Sequence, residues 1–131
     1  MASPNTTLHS TNSTGMPLLG FGTYQMSEEQ AVGSVYEAIK SGFRHIDSAE
    51  VYGNEVGTGI AIAKALQDNI VTRQELFITT KVFPGYKHWG QIEKSFDQTS
   101  ETLKNQLEKL QLEYVDLYLI HATISEMRLE Q

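Results

Sequence analysis

At 131 residues the chain is long enough for one domain with a real core, and its lack of cysteine excludes disulfides, thiolate catalysis and cysteine-ligated metals together. A formal net charge of −6, with no basic run anywhere, argues against a surface for nucleic acid. No apolar stretch approaches the roughly 18 residues of a membrane span, and the cysteine-free composition suits a reducing compartment, so a cytoplasmic protein without membrane partners is expected.

The first sixteen residues, MASPNTTLHSTNSTGM, are polar and contain no apolar segment of the secretory kind; a loose tail that turns into a short hairpin is expected there. Asn5-Thr6-Thr7 and Asn12-Ser13-Thr14 match the glycosylation acceptor pattern, which means little without an export signal. From residue 17 to residue 131 the chain reads as strand then helix, repeated. PLLGFGTY is a compact apolar strand, and SEEQAVGSVYEAIKSG follows as a helix, with Ser27 and Gln30 spaced as a capping box. Val32, Val35, Tyr36 and Ile39 recur there at helical spacing, and Gly42 stops the helix. FRHID is the second strand; a helix over about Glu55 to Gln67 sets Val56, Ile60, Ala63 and Leu66 on one side. LFITTKV is the third strand. The longest helix is predicted over about Gln91 to Leu110, with Ile92, Phe96, Thr99, Leu103, Leu107 and Leu110 as its buried face, and VDLYLIH is the fourth strand.

Near-continuous apolar strands between helices indicate a parallel sheet covered by helices. Four such units fit an open doubly wound sheet as well as half of a closed (β/α)8 barrel. The doubly wound reading wants GxGxxG between first strand and first helix, whereas Gly20-Phe21-Gly22 runs into Thr23-Tyr24-Gln25, and Gly53, Gly57 and Gly59 follow the second strand. No GxxxxGK[ST] occurs either.

The chemistry gathers at the strand ends, where a β/α barrel keeps its active site. Asp47 closes FRHID, Lys81 ends LFITTK, His121 ends VDLYLIH, and Tyr52 lies five residues beyond Asp47. A phenol is a poor proton donor near neutrality unless a neighbouring cation stabilises the phenolate. Lys81 can supply that cation, Asp47 can hold the ammonium in place, and His121 can orient a substrate oxygen toward the Tyr52 hydroxyl. The set would polarise and protonate a carbonyl as a hydride reaches its carbon. Taken singly, each residue also has an ordinary structural reading; their joint placement at consecutive strand ends carries the case. Glu50, Glu55, His45 and His88 raise the question of a metal, but no HExxH spacing occurs and none is expected.

GFGTY, GFRHIDSAEVYGNE, FITTKV and YVDLYLIH, in this order, resemble the N-terminal half of an aldo-keto reductase over about Met16 to His121. The resemblance implies the first four units of a (β/α)8 barrel and NADPH-dependent reduction of an aldehyde or ketone. It implies Tyr52 as general acid, Lys81 and Asp47 as its activating pair, and His121 as the carbonyl-orienting residue. Gly22, Thr23 and Tyr24, with Asp47, would border the nicotinamide; Tyr24, Val51 and Phe83, with His121, would line the substrate pocket. Two departures stand out: VFPGYKHWGQIEKSF lengthens the interval from Lys81 to His121, and Ala122-Thr123 stands where Trp-Pro often follows the histidine. Both point away from sugar aldehydes, toward branches similar to fungal conjugated polyketone reductases. A non-catalytic barrel relative, serving as a binding or regulatory subunit, is the competing reading. Because the family's later strands carry much of its cofactor site, the 131 residues alone are expected to lack reductase activity, to self-associate through open sheet edges, and to stop at the entrance of a further helix, Met127 to Gln131.

Overall fold

A computed structural model describes residues 7–8, 15–86 and 91–122. Asn5, Asn12, His88 and Met127 to Gln131 lie outside the described residues. Thr7–Leu8 (β1) pairs antiparallel with Met16–Pro17 (β2). The first predicted strand is thereby divided: Pro17 ends the hairpin, Leu18 and Leu19 bend through solvent, and only Gly20–Gly22 (β3) enters the main sheet. Proline lacks the N–H that a central strand must donate, which confines it to such an edge.

Strands β3, His45–Asp47 (β4), Phe77–Val82 (β5) and Leu117–Ile120 (β6) lie side by side in chain order, every pair parallel. Among the described strands no order reversal occurs, so their crossovers fall on one face. Helices Glu28–Lys40 (α1), Glu55–Gln67 (α2) and Phe96–Leu110 (α3) supply that layer. Alternation along the strands sends Ile46, Ile78 and Thr80 toward the helices and leaves His45, Asp47, Thr79 and Lys81 on the other face. A doubly wound sheet has helices on both faces; this one-sided layering is the wall of a barrel.

The helix-side core joins Val35 and Ile39 of α1 to Ala61, Ile62 and Ala65 of α2 over Ile46 and Ile78. Helix α1 starts at the expected capping box: Ser27 Oγ accepts from the Gln30 N–H at 3.1 Å, and Gln30 Oε1 accepts from the Ser27 N–H at 2.9 Å. Its end passes through Ser41 to Gly42, whose φ of +111° suits glycine.

Helix α2 has the predicted bounds, but its buried face is rotated from the predicted one: Ala63 and Leu66 are half-buried, Leu66 against the core, and the rest of that stripe faces out. Val56 and Ile60 are 44% and 42% exposed, while Gly57, Thr58, Gly59, Ala61, Ile62 and Ala65 are buried. Large side chains set the predicted stripe; close backbone approach sets the real one. A Cβ on Gly57 would come within 2.2 Å of the Glu28 carbonyl oxygen, and one on Gly59 within 2.3 Å of that of Lys109. Gly59→Ala is therefore expected to lower stability by about 1–3 kcal/mol, the usual range for overpacking against backbone, as measured by chemical denaturation.

Helix α3 also departs from its prediction, beginning at Phe96 instead of near Gln91. Ser95 caps it through a second box, accepting from the Gln98 N–H at 3.2 Å while Gln98 Oε1 accepts from the Ser95 N–H at 2.8 Å. Ile92 and Phe96 are exposed; Thr99, Leu103 and Leu107 are half-buried, and the buried positions are Gln106 and Leu110. The amphipathic pattern ran past the cap because Ile92 happened to fall in phase with it.

Candidate active site

Lys81 is the hub. From β5 its Nζ donates to Asp47 Oδ1 at 2.7 Å, to the Ser48 carbonyl at 2.8 Å and toward the Tyr52 hydroxyl at 3.4 Å. An ammonium has three hydrogens, and these three acceptors match them. The side chain is 13% exposed, a degree of burial that an unpaired lysine would tolerate poorly, whereas the Asp47 carboxylate is 38% exposed and keeps contact with the open face.

Tyr52 reaches this hub through local backbone geometry. After β4 the chain enters a single 3-10 turn, Glu50–Tyr52, closed by Gly53 at φ +67°. The turn brings the phenol back over the strand ends, its ring centroid 5.1 Å from Lys81 Nζ. Its ring meets His121 edge-on, with centroids 5.7 Å apart and planes at 85°. His121 stands one residue beyond β6, its N–H donating to the Val82 carbonyl at 2.9 Å. Its Nδ1 is buried without a hydrogen bond among the described residues. The four strand-end residues predicted to act together are thus assembled in one place.

The remaining predicted contacts surround them. Gly22 pairs in register with Asp47, and a Cβ there would meet nothing within 4 Å. Buried Thr23 donates its N–H and Oγ1 to the Asp47 carbonyl at 3.1 and 3.3 Å. The Tyr24 ring lies 5.1 Å from that of Tyr52, and Tyr24 and Val51 are both exposed at the mouth. Half-buried Phe83 donates its N–H to Glu50 Oε2 at 2.7 Å.

Of the residues weighed as metal ligands, Glu50, His45 and Glu55 have other partners. Lys94 pairs with Glu50 at 2.8 Å, and His45 Nε2 is 2.8 Å from Thr79 Oγ1, with burial lowering the imidazole pKa against the opposing pull of Asp47. Among the described residues no three histidine, aspartate or glutamate side chains cluster for a metal.

Sequence reasoning missed the polar layer behind the site. Asn54, fully buried, donates to the Thr23 and Met26 carbonyls at 2.7 and 3.0 Å and so fixes the Gly22-Thr23-Tyr24 turn. Glu55 is 3% exposed; its carboxylate accepts from Thr80 Oγ1 at 2.8 Å and from Gln106 Nε2 at 2.9 Å. Gln106 also donates to the Lys81 carbonyl at 3.1 Å and accepts from the Tyr118 hydroxyl at 2.7 Å. Burial, then the charges of Glu50 and Glu55, push the Tyr118 phenol to about 12, keeping it a neutral donor. The available signal was a polar residue, Thr80 or Gln106, at a position where strand or helix periodicity requires an apolar one.

Burial raises the Glu55 pKa above its ordinary 4.5, outweighing the hydrogen bonds from Gln106 and Thr80. In the window above 4.5 the folded state then holds the proton more tightly than the unfolded chain, so this group's contribution to stability falls as pH rises through its folded pKa. Wild-type stability measured relative to Glu55→Gln should decline as pH rises above 4.5 and level off once the folded-state carboxyl has ionised. Paired unfolding curves test this; a flat or rising difference would contradict the assignment.

A model of the aldo/keto reductase family matches residues 14–130. A probable NAD(P)H-dependent D-xylose reductase of Aspergillus flavus is 39% identical over 125 residues, covering 95% of this chain and 36% of its own length. Human aldo-keto reductase family 1 member C3 is 42% identical over 113 residues, covering 84% of this chain and 33% of its own. A Bombyx mori aldo-keto reductase, crystallised in complex with NADP, superposes with a TM-score of 0.80 at 37% identity, covering 95% of this chain and 40% of that one. The chain thus spans about a third of the length of the curated relatives it matches.

Proposed function

Because the chain belongs to the aldo/keto reductase family, we propose that the whole protein is an NADPH-dependent reductase that converts an aldehyde or ketone to an alcohol. The observation that carries the proposal is the single ammonium of Lys81, held by Asp47 and aimed at the Tyr52 hydroxyl, with His121 against the same ring.

The residues present fit the nicotinamide end of such a cofactor. Gly22 leaves open the space a Cβ would occupy beside the part-exposed Asp47 carboxylate, and Tyr24 stands exposed next to Tyr52. NADPH, when bound, supplies the hydride that the carbonyl carbon accepts. Tyr52 gives its hydroxyl proton to the carbonyl oxygen, and Lys81 stabilises the phenolate left behind. Asp47 keeps the ammonium in position through that change. His121 orients the carbonyl oxygen by a hydrogen bond from its imidazole, and the Tyr52 ring beside it limits its rotation. Tyr24, Val51 and Phe83 offer aromatic and apolar surface to the substrate's carbon skeleton.

The test is carbonyl-dependent NADPH oxidation by the whole protein across aldehydes, D-xylose among them, diketones and α-ketolactones. Oxidation with at least one class is expected. Tight NADPH binding without turnover on the whole panel would favour a binding or regulatory relative instead.

A further inference from the structure

The lengthened segment after β5 is fastened to the site at two points that the chemistry above does not use. On one side, Lys94 Nζ donates to both Glu50 oxygens, at 2.9 and 2.8 Å, and also to the Phe83 carbonyl, while the Phe83 N–H donates to Glu50. Glu50 opens the 3-10 turn that ends in Tyr52. On the other side, the Tyr86 hydroxyl donates toward the backbone carbonyls of His121, at 2.9 Å, and Ala122. Ala122 sits at φ +58°, a left-handed conformation that alanine adopts only when its surroundings impose it.

The two fastenings are joined by hydrogen bonds between residues 84–86 and residues 91–94. The Lys94 N–H donates to the Pro84 carbonyl at 2.8 Å. The Gln91 N–H donates to the Tyr86 carbonyl at 3.1 Å, and the Tyr86 N–H donates back to Gln91 Oε1 at 3.1 Å. Gly85 makes the closure possible: its φ is +79°, and a Cβ would fall 2.4 Å from the Ile92 carbonyl oxygen. Tyr86 is 7% exposed and meets Phe83 edge-on, with centroids 5.4 Å apart, so its hydroxyl is aimed by packing.

We propose that Tyr86 is a positioning residue for His121, acting through a clasp whose other end, Lys94 on Glu50, is anchored to the turn that carries Tyr52. The clasp ties the end of β6 to the turn after β4, and so sets the distance between the carbonyl-orienting histidine and the proton donor. The kinetic consequence rests on the reductase reading; the structural one does not.

Tyr86→Phe keeps the ring against Phe83 and removes the hydroxyl that donates to the turn. In the whole protein it should lower kcat about 10-fold, short of the roughly 100-fold that a 1 Å misplacement can cost, with NADPH affinity within about two-fold of wild type. Histidine ¹⁵N resonances should shift for His121 and stay in place for His45. Lys94→Met should shift the His121 signal in the same direction by a smaller amount, which keeps the test open if Tyr86→Phe folds poorly. Unchanged His121 resonances in both variants would overturn the proposal, as would a fall in kcat that merely tracks a fall in the unfolding midpoint. If the wild-type protein reduces no carbonyl at all, the functional reading fails by itself, and the His121 resonances alone decide the clasp.

Discussion

Tyr52→Phe in the whole protein is expected to lower kcat by roughly 100- to 10,000-fold, the range that a positioned general acid contributes. The ring, its edge contact with His121 and its packing against Tyr24 all survive the substitution, so folding and NADPH affinity should stay near wild type. The lost group is the hydroxyl that lies 3.4 Å from Lys81 Nζ. Because the interaction removed is made in the transition state, kcat and kcat/KM should fall together. Steady-state kinetics with NADPH titration provide the check; turnover close to wild type would remove Tyr52 from its role.

Lys81→Met should act in the same direction, by roughly 100- to 1,000-fold in kcat, since it removes a preorganised charge beside the developing phenolate. It also leaves the Asp47 carboxylate without its cation. That carboxylate is 38% exposed and can rehydrate, so the loss of stability should stay near 1 kcal/mol, well below the cost of stranding a buried charge. A kcat close to wild type in a folded Lys81→Met protein would show that the ammonium does not stabilise the phenolate. A stability loss of several kcal/mol would make its main role structural.

The strand-end residues were legible in sequence because two simple periodicities converge on them. Alternation puts Asp47 and Lys81 on the face away from the helices, and parallel strands in chain order bring their ends together without any knowledge of the helices. The helix faces were less legible. Hydrophobic periodicity weighs large side chains, whereas α2 packs by backbone approach at Gly57 and Gly59, where the informative feature is the absence of a side chain. Val56 and Ile60 were left outside as a result. The supporting polar layer was hidden for a different reason. Glu55 and Gln106 are 51 residues apart, and Tyr86 and His121 are 35 apart; neither partner predicts the other locally. Ser95 and Gln98, by contrast, form a capping box readable from spacing alone, and it marks the true start of α3 inside a longer amphipathic stretch.

The most direct test of the central claim traces the hydride into the product and asks whether its transfer depends on the Tyr52 hydroxyl. The whole protein is given NADPH carrying deuterium at the transferable position of nicotinamide C4, together with a carbonyl substrate, and the product alcohol is examined by mass spectrometry for both wild type and Tyr52→Phe. The account predicts that the wild-type product carries deuterium on its carbinol carbon, with the hydroxyl proton coming from exchangeable sources. It also predicts that Tyr52→Phe forms this alcohol at a rate lower by roughly 100-fold or more. Product without deuterium, or labelled alcohol formed by Tyr52→Phe at the wild-type rate, would contradict it.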